Sequence, residues 1–176
     1  MNLLAKSLSI ACLGICTALP SVAAQPEGQI YAELSYSWLK LSSNGYNVTS
    51  DDAIGRFGYE FNKYLGAEVF GATSLTSGDL FGTSVKVDSA YGAYLKVRAE
   101  ASPGFEVFGK LGYVHATLIA SIPGQSFSSS DGSFSYGAGM QYSFTPKWYI
   151  QGDYMSYYEK NGGTVRGPSI GVGVRF

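Results

Sequence analysis

The sequence predicts an all-β protein, an eight-stranded antiparallel up-and-down β-barrel that crosses a membrane. Three observations lead to this prediction. Large apolar residues alternate with small or polar residues at a period of two, as in a strand with two unlike faces. Aromatic residues gather at both ends of the apolar faces, where a spanning strand meets the two water–lipid boundaries. The connections between strands alternate between long and short, as expected when the two ends of a barrel face different compartments.

The segment 133–158 shows the alternation most clearly and reads as a hairpin. Phe134, Tyr136 and Met140 lie on one face of its first strand, and Gln141 lies on the other. The same period predicts strands at 29–41, 53–62, 65–75, 85–98, 105–118, 133–144, 148–158 and 167–176, with long polar or Gly-rich loops at 42–52, 119–131 and 159–166 and another around Gly78 and Gly82.

Two rings of aromatic side chains are predicted on the lipid-facing surface. They are Tyr59, Phe61, Phe105, Tyr142, Phe144, Trp148 and Phe176 on the short-turn side, and Tyr36, Trp38, Tyr91, Tyr113, Phe134 and Tyr154 on the long-loop side.

The inward face is predicted to hold balanced charges, because uncompensated charge in a narrow lumen is costly and pairing offsets that cost. Inward glycines leave room for long side chains, and an eight-stranded barrel is just wide enough to be filled by them, so a wide pore is not expected. The predicted lumen charges are Glu33, Glu60, Glu68, Asp88, Glu106, Asp153, Arg56, Lys86, Lys96, Arg98, Lys110 and Arg175.

The N-terminal segment 1–24 is predicted to be a secretory signal peptide, which leaves 25–176 as one barrel domain. Lys6 precedes a short apolar core, and small residues follow it. Cys12 and Cys16 both lie in this segment, so the mature domain is expected to have no disulfide, no cysteine metal site and no thiol nucleophile. No cofactor is expected. The net charge of −1 gives no reason to expect a nucleic-acid partner.

Three stretches of the sequence carry a resemblance to a known family: 55–61 (GRFGYEF), 136–139 (YGAG) and 171–176 (GVGVRF). The chain resembles the small outer-membrane β-barrels of Gram-negative bacteria, the OmpA/OmpX-like barrels and the related porin-family domain. The resemblance implies location in the outer membrane, among its lipids and lipopolysaccharide, and a monomer is expected. It also implies that Val172, Val174 and Phe176 form the C-terminal signal read by the barrel assembly machinery.

Two classes of function are consistent with these features. The first is a barrel without catalytic activity that serves envelope integrity, surface interaction or limited passage of small solutes. The second is a lipid-modifying barrel enzyme similar to lipid A deacylases, which needs a placed serine, histidine and acid. His115 is the sole histidine, and Thr117 rather than a serine stands two residues after it, so the first class is favoured and no catalytic or metal-binding residue is assigned. A soluble ligand-binding barrel would need an apolar interior, which the inward charges oppose.

Overall fold

The computed structural model describes residues 28–43, 46–75, 78–80, 83–122, 125–160 and 162–176. Within them every element of regular structure is a β-strand. The strands are β1 (Gln29–Ser43), β2 (Tyr46–Glu60), β3 (Leu65–Ser74), β4 (Gly78–Leu80), β5 (Thr83–Ser102), β6 (Phe105–Ile122), β7 (Gln125–Ser143), β8 (Trp148–Lys160) and β9 (Gly163–Arg175).

The strands form one closed antiparallel sheet. Consecutive strands pair with each other except that β3 pairs with β5, and β1 pairs with β9, so eight strands complete the barrel. β4 is a short ninth strand, and in the described residues its single ladder partner is the outer end of β5. The predicted fold class is therefore confirmed. In the described residues, no helix is long and apolar enough to cross a membrane.

Side chains alternate strictly between the two surfaces of the barrel wall. Along β8, Tyr149, Gln151 and Asp153 are buried, whereas Ile150 and Tyr154 are exposed. Because a closed ladder pairs the backbone groups within the sheet, this arrangement lets strands cross lipid with apolar side chains outside and polar ones inside.

The turns at one end of the barrel are short and hydrogen-bonded. The Asn62 side-chain oxygen accepts from the amides of Tyr64 and Leu65, at 2.8 and 2.9 Å. Thr145 Oγ1 accepts from the amide of Trp148 at 2.8 Å. Gly104 takes a positive φ of 76°, which favours glycine, in the turn between β5 and β6. In an outer-membrane barrel the end with short turns faces the periplasm.

The strands extend further from the short turns than predicted. β2 begins at Tyr46, β6 and β7 cover most of the predicted loop 119–131, and β9 begins at Gly163. The predicted loops at 42–52, 119–131 and 159–166 were therefore largely wrong. Above the membrane both faces of a strand meet water, so the apolar alternation disappears from the sequence while the backbone ladder continues.

The interior of the barrel has two layers. Charged and polar side chains fill the half nearer the short turns. Above them lies a cluster of buried apolar side chains, defined here as the apolar plug: Leu39, Ile54, Phe70, Tyr94, Val114, Met155 and Tyr157.

Candidate functional site

Charged side chains from seven strands meet in the lower layer of the lumen. Each is less than 9% exposed, and five acids are matched by five bases. The side chains of Asp88 and Lys86, predicted to join them, lie outside the described residues. The buried charges are Glu33, Glu60, Glu68, Glu106, Asp153, Arg56, Lys96, Arg98, Lys110 and Arg175.

Arg56 is the centre of the first group of ion pairs. Its guanidinium lies 2.6 Å from Glu33, 3.3 Å from Asp153 and 3.6 Å from Glu68. Lys110 Nζ lies 2.8 Å from Glu68 Oε1 and 3.7 Å from Asp153 Oδ2. Three acids therefore share two bases across the lumen, between β1, β2, β3, β6 and β8, and this group has one more acid than bases.

A second group lies next to the short turns. Arg98 Nη1 is 2.6 Å from Glu60 and 3.3 Å from Glu106, while Arg175 is 3.6 and 3.8 Å from the same two acids. Buried ion pairs of this kind add little net stability against an apolar alternative, yet removing one partner is costly.

Lys96 lies between the two groups of ion pairs. Among the described residues, no carboxylate oxygen lies within 4 Å of its ammonium group. Its Nζ lies 3.3 Å from Gln141 Oε1, 4.4 Å from the centre of the Phe108 ring and 5.2 Å from that of Tyr31. Aromatic faces attract a cation, and the attraction is stronger where water is excluded.

Aromatic rings inside the lumen are the feature that the sequence analysis missed. Tyr31 faces Gly58 across the β1–β2 pair, and Tyr149 faces Gly173 across β8–β9. A Cβ on either glycine would lie within 2.2 Å of the facing ring, so only glycine fits beneath it. The signal that could have revealed these two rings was present, since Gly58 and Gly173 are inward glycines and each pairs with an inward tyrosine.

The C-terminal residues predicted as an assembly signal lie on the outer surface of β9 and beyond it. Val172 and Phe176 are exposed, Phe176 by 72%, and Val174 is half-buried. The Phe176 amide donates to the Ile30 carbonyl at 2.9 Å, so the last residue is tied to β1.

His115 lies on the outer surface beside Tyr91, with ring centres 5.4 Å apart and the ring planes tilted by 39°. Its cross-strand neighbours are Tyr91 on β5 and Gly132 on β7. The described residues contain no group of three or more His, Cys, Asp or Glu side chains that could hold a metal ion.

The outer end of the barrel splits between β7 and β8. β7 pairs with β6 along its full length, from Gln125 to Ser143, but its described pairing with β8 starts only at Tyr136. The segment 125–135 therefore projects beyond the closed ladder, with one edge paired to β6 and no described ladder partner on the other. We call this edge the open edge of β7.

A polar cluster ties the base of the open edge to β8. Asp131 accepts hydrogen bonds from Tyr158 at 3.0 Å and from Lys160 at 3.0 and 3.3 Å. The hydrogen bond from Lys160 holds the pKa of the Asp131 carboxyl below its ordinary value, and the pKa of Lys160 is raised by the same contact. Burial and the bond to Asp131 raise the pKa of Tyr158. Closer to the membrane than Asp131, the Glu159 amide donates to Ser133 Oγ at 3.3 Å.

A closed barrel with an apolar, aromatic-rimmed outer surface and a charged, side-chain-filled interior is an integral outer-membrane β-barrel. The family model described as the outer membrane protein beta-barrel domain matches residues 8–176. The protein belongs to this family, and it is located in the outer membrane of a Gram-negative bacterium. The predictions of family and location are confirmed.

Relatives of similar length support this assignment. The attachment invasion locus protein of Yersinia enterocolitica is 30% identical over 183 residues, which cover 99% of this chain and 98% of that protein. Ail, the attachment invasion locus protein of Yersinia pestis, in complex with the heparin analogue sucrose octasulfate, has a similar fold at 23% identity and a TM-score of 0.68, covering 86% of this chain and all of that one. Neisserial surface protein A shares the fold at 16% identity, with a TM-score of 0.71 and coverage of 84% and 97%.

Proposed function

We propose that this protein is a surface-attachment barrel without catalytic activity, which binds a protein partner through the open edge of β7. The observation that carries the proposal is the split between β7 and β8, which leaves an extended backbone edge above the membrane. An exposed strand edge presents backbone donors and acceptors at a spacing that an extended peptide can match. The relatives that match the whole chain are called attachment invasion locus proteins, which supports attachment as the function.

The lumen supports a function outside the barrel rather than through it. The apolar plug and the ion pairs fill the described interior with buried side chains, and few polar groups are presented to a solute. His115, the side chain on which an enzyme would depend, contacts a tyrosine on the lipid side. These contacts favour the attachment reading over lipid A deacylation.

We also propose that lipopolysaccharide contacts the outer rim of β1 and β9. Lys40 and Arg166 are cross-strand partners and both are exposed. They stand just above Trp38, which belongs to the outer aromatic ring, and therefore at the level of anionic headgroups. We further propose that the segment 1–24 is removed and that the protein assembles as a monomer. Val172, Val174 and Phe176 form the C-terminal signal for this assembly.

A hairpin-trimming experiment tests attachment through the open edge. Thr117 and Ser130 are cross-strand partners, so replacing 117–130 by an Asn-Gly turn shortens β6 and β7 in register. This removes the part of the open edge that lies beyond the Asp131 cluster. The control replaces 42–47 by the same turn, because Ser42 and Asn47 are partners at the tip of β1–β2. Both variants keep the membrane-spanning ladder.

Attachment is measured as the number of bacteria bound to cultured epithelial cells, with equal amounts of folded barrel in the outer membrane. We expect the β6–β7 variant to lose at least about tenfold in attachment, since a tenfold loss corresponds to about 1.4 kcal/mol of binding free energy. The β1–β2 control is expected to bind like the parent. Parental attachment by the β6–β7 variant would show that the open edge is not the binding surface.

A further inference from the structure

One buried carboxylate in the barrel differs from all the others. Each of the five acids in the lower layer has a basic group within 4 Å. Asp52, on the outer half of β2, is 1% exposed and has no basic group within that distance in the described part of the chain. A buried charge without a partner is expensive, so the position requires a compensating group.

The surroundings of Asp52 are hydroxyl groups from three strands. Ser74 Oγ donates to Asp52 Oδ1 at 2.6 Å, and Ser50 Oγ donates to the same oxygen at 3.3 Å. The two hydroxyls also lie 3.1 Å apart. One carboxylate oxygen therefore accepts two hydrogen bonds, while Asp52 Oδ2 is buried and has no hydrogen-bond partner in the part of the chain that the structure describes.

Ser37 supplies a second unsatisfied oxygen beside the first. Ser37 and Asp52 are cross-strand partners in the β1–β2 ladder, which brings their Cβ atoms to about 5 Å on the same inward face. Ser37 is fully buried, and its Oγ also lacks a hydrogen-bond partner among the described residues. Two adjacent strands thus direct unsatisfied oxygens into the same part of the lumen. This part lies at the level of the apolar plug, since Leu39 is the next inward residue after Ser37 on β1 and Ile54 is the next inward residue after Asp52 on β2.

We propose that Ser37, Ser50, Asp52 and Ser74 form a binding site for a calcium ion in the lumen, beside the apolar plug. Carboxylate and hydroxyl oxygens are hard ligands, and Ca²⁺ accepts six to eight of them in irregular geometry with water completing the shell. Mg²⁺ demands a near-ideal octahedron at shorter distances, which hydroxyls on three separate strands do not provide. A site with one carboxylate is expected to be weak, with a Kd of about 10⁻⁴ to 10⁻³ M, the range of extracellular calcium modules.

The site would act as a bridge between strands. Its ligands come from β1, β2 and β3, which are neighbours in the barrel wall. A bound ion would neutralise Asp52 and join these three strands inside the lumen. The inference is independent of attachment through the open edge, which lies on β7.

The experiment is equilibrium urea unfolding of the full barrel in phosphatidylcholine vesicles, treated with EGTA and then titrated with calcium chloride. Parallel titrations use magnesium chloride at equal concentration and sodium chloride at equal ionic strength. The test variant is Asp52→Asn, whose amide oxygen can still accept from Ser50 and Ser74. The matched control is Asp51→Asn, the same change of charge one residue away, where the side chain is directed to the opposite face.

Calcium at about ten times its Kd should raise the folding equilibrium constant of the parent about tenfold, because the ion binds only the folded state. Asp51→Asn should respond like the parent. Asp52→Asn should lose the response and be at least as stable as the parent in EGTA, since the uncompensated charge is gone. A parent that does not respond to 10 mM calcium, a roughly equal response to sodium, or an unchanged response in Asp52→Asn would each overturn the proposal.

Discussion

Replacing Arg56 by Met should leave one carboxylate of the lumen without a basic partner. Arg56 contacts three acids, but Lys110 remains 2.8 Å from Glu68 and 3.7 Å from Asp153. Glu33 is different, because Arg56 is its single basic neighbour within 4 Å in the described residues. Breaking a buried pair by removing one partner costs about 3–5 kcal/mol. We therefore expect Arg56→Met to lower the free energy of unfolding by about 3–5 kcal/mol, because one carboxylate rather than three loses its basic partner.

Reversible urea unfolding in lipid vesicles, followed by the fluorescence of Trp38 and Trp148, measures the effect. Arg166→Met is the matched control, because Arg166 is exposed on the outer rim and should change stability by less than about 0.5 kcal/mol. Adding Glu33→Gln to Arg56→Met removes both charges and should restore at least half of the loss. The reasoning is refuted if Arg56→Met costs less than about 1 kcal/mol, or if the double variant is as unstable as the single one.

Three further predictions concern the lipid face, the C-terminus and the outer cluster. Ala138→Arg, at an exposed mid-strand position, should cost about 2–4 kcal/mol in the same unfolding assay. Ala101→Arg, the same change at an exposed position beside the short turn after β5, should cost about 0–1 kcal/mol, and equal costs would contradict the depth assignment. Deleting Phe176 should lower the amount of folded barrel in the outer membrane, measured by heat-modifiable migration in SDS, and normal levels at high expression would count against an assembly role. The pKa of Asp131 is lowered by Lys160, so the contact between the two side chains should persist at acidic pH and be lost only as the pH falls through a value below 3.8. An NMR titration of the Asp131 carboxyl carbon measures this pKa, and Lys160→Gln should raise it.

The membrane-spanning part of the fold could be predicted because lipid imposes a strict pattern on it. One face of each strand contacts hydrocarbon and the other contacts the lumen, so residues such as Ile150 and Asp153 reveal their directions through their polarity alone. The balance of inward charge followed from the same pattern, since Arg56 and Glu68 stand on alternating positions of neighbouring strands.

The parts that escaped prediction lack such a constraint or depend on cross-strand register. Above the membrane, β6 and β7 pair through the stretch 125–132, where serines replace the apolar alternation that would mark a strand. The partners of individual charges depend on which residues face each other across the barrel. The Tyr149 hydroxyl, for example, donates a hydrogen bond of 3.2 Å to Glu33, although the two residues are 116 positions apart in the sequence. The open edge likewise depends on the residue at which the pairing of β7 with β8 stops. The sequence pattern of one strand alone does not determine where its pairing with a neighbour stops.

The apolar plug has a consequence for the bacterium that carries the protein. An ion that moved along the barrel axis would have to give up its hydration shell among Leu39, Phe70, Tyr94 and their neighbours, and apolar constrictions block conduction in this way. We therefore expect the described barrel interior to conduct ions poorly at the level of the plug, although charged groups fill the level below. A cell could then display many copies at its surface without weakening the permeability barrier of the outer membrane.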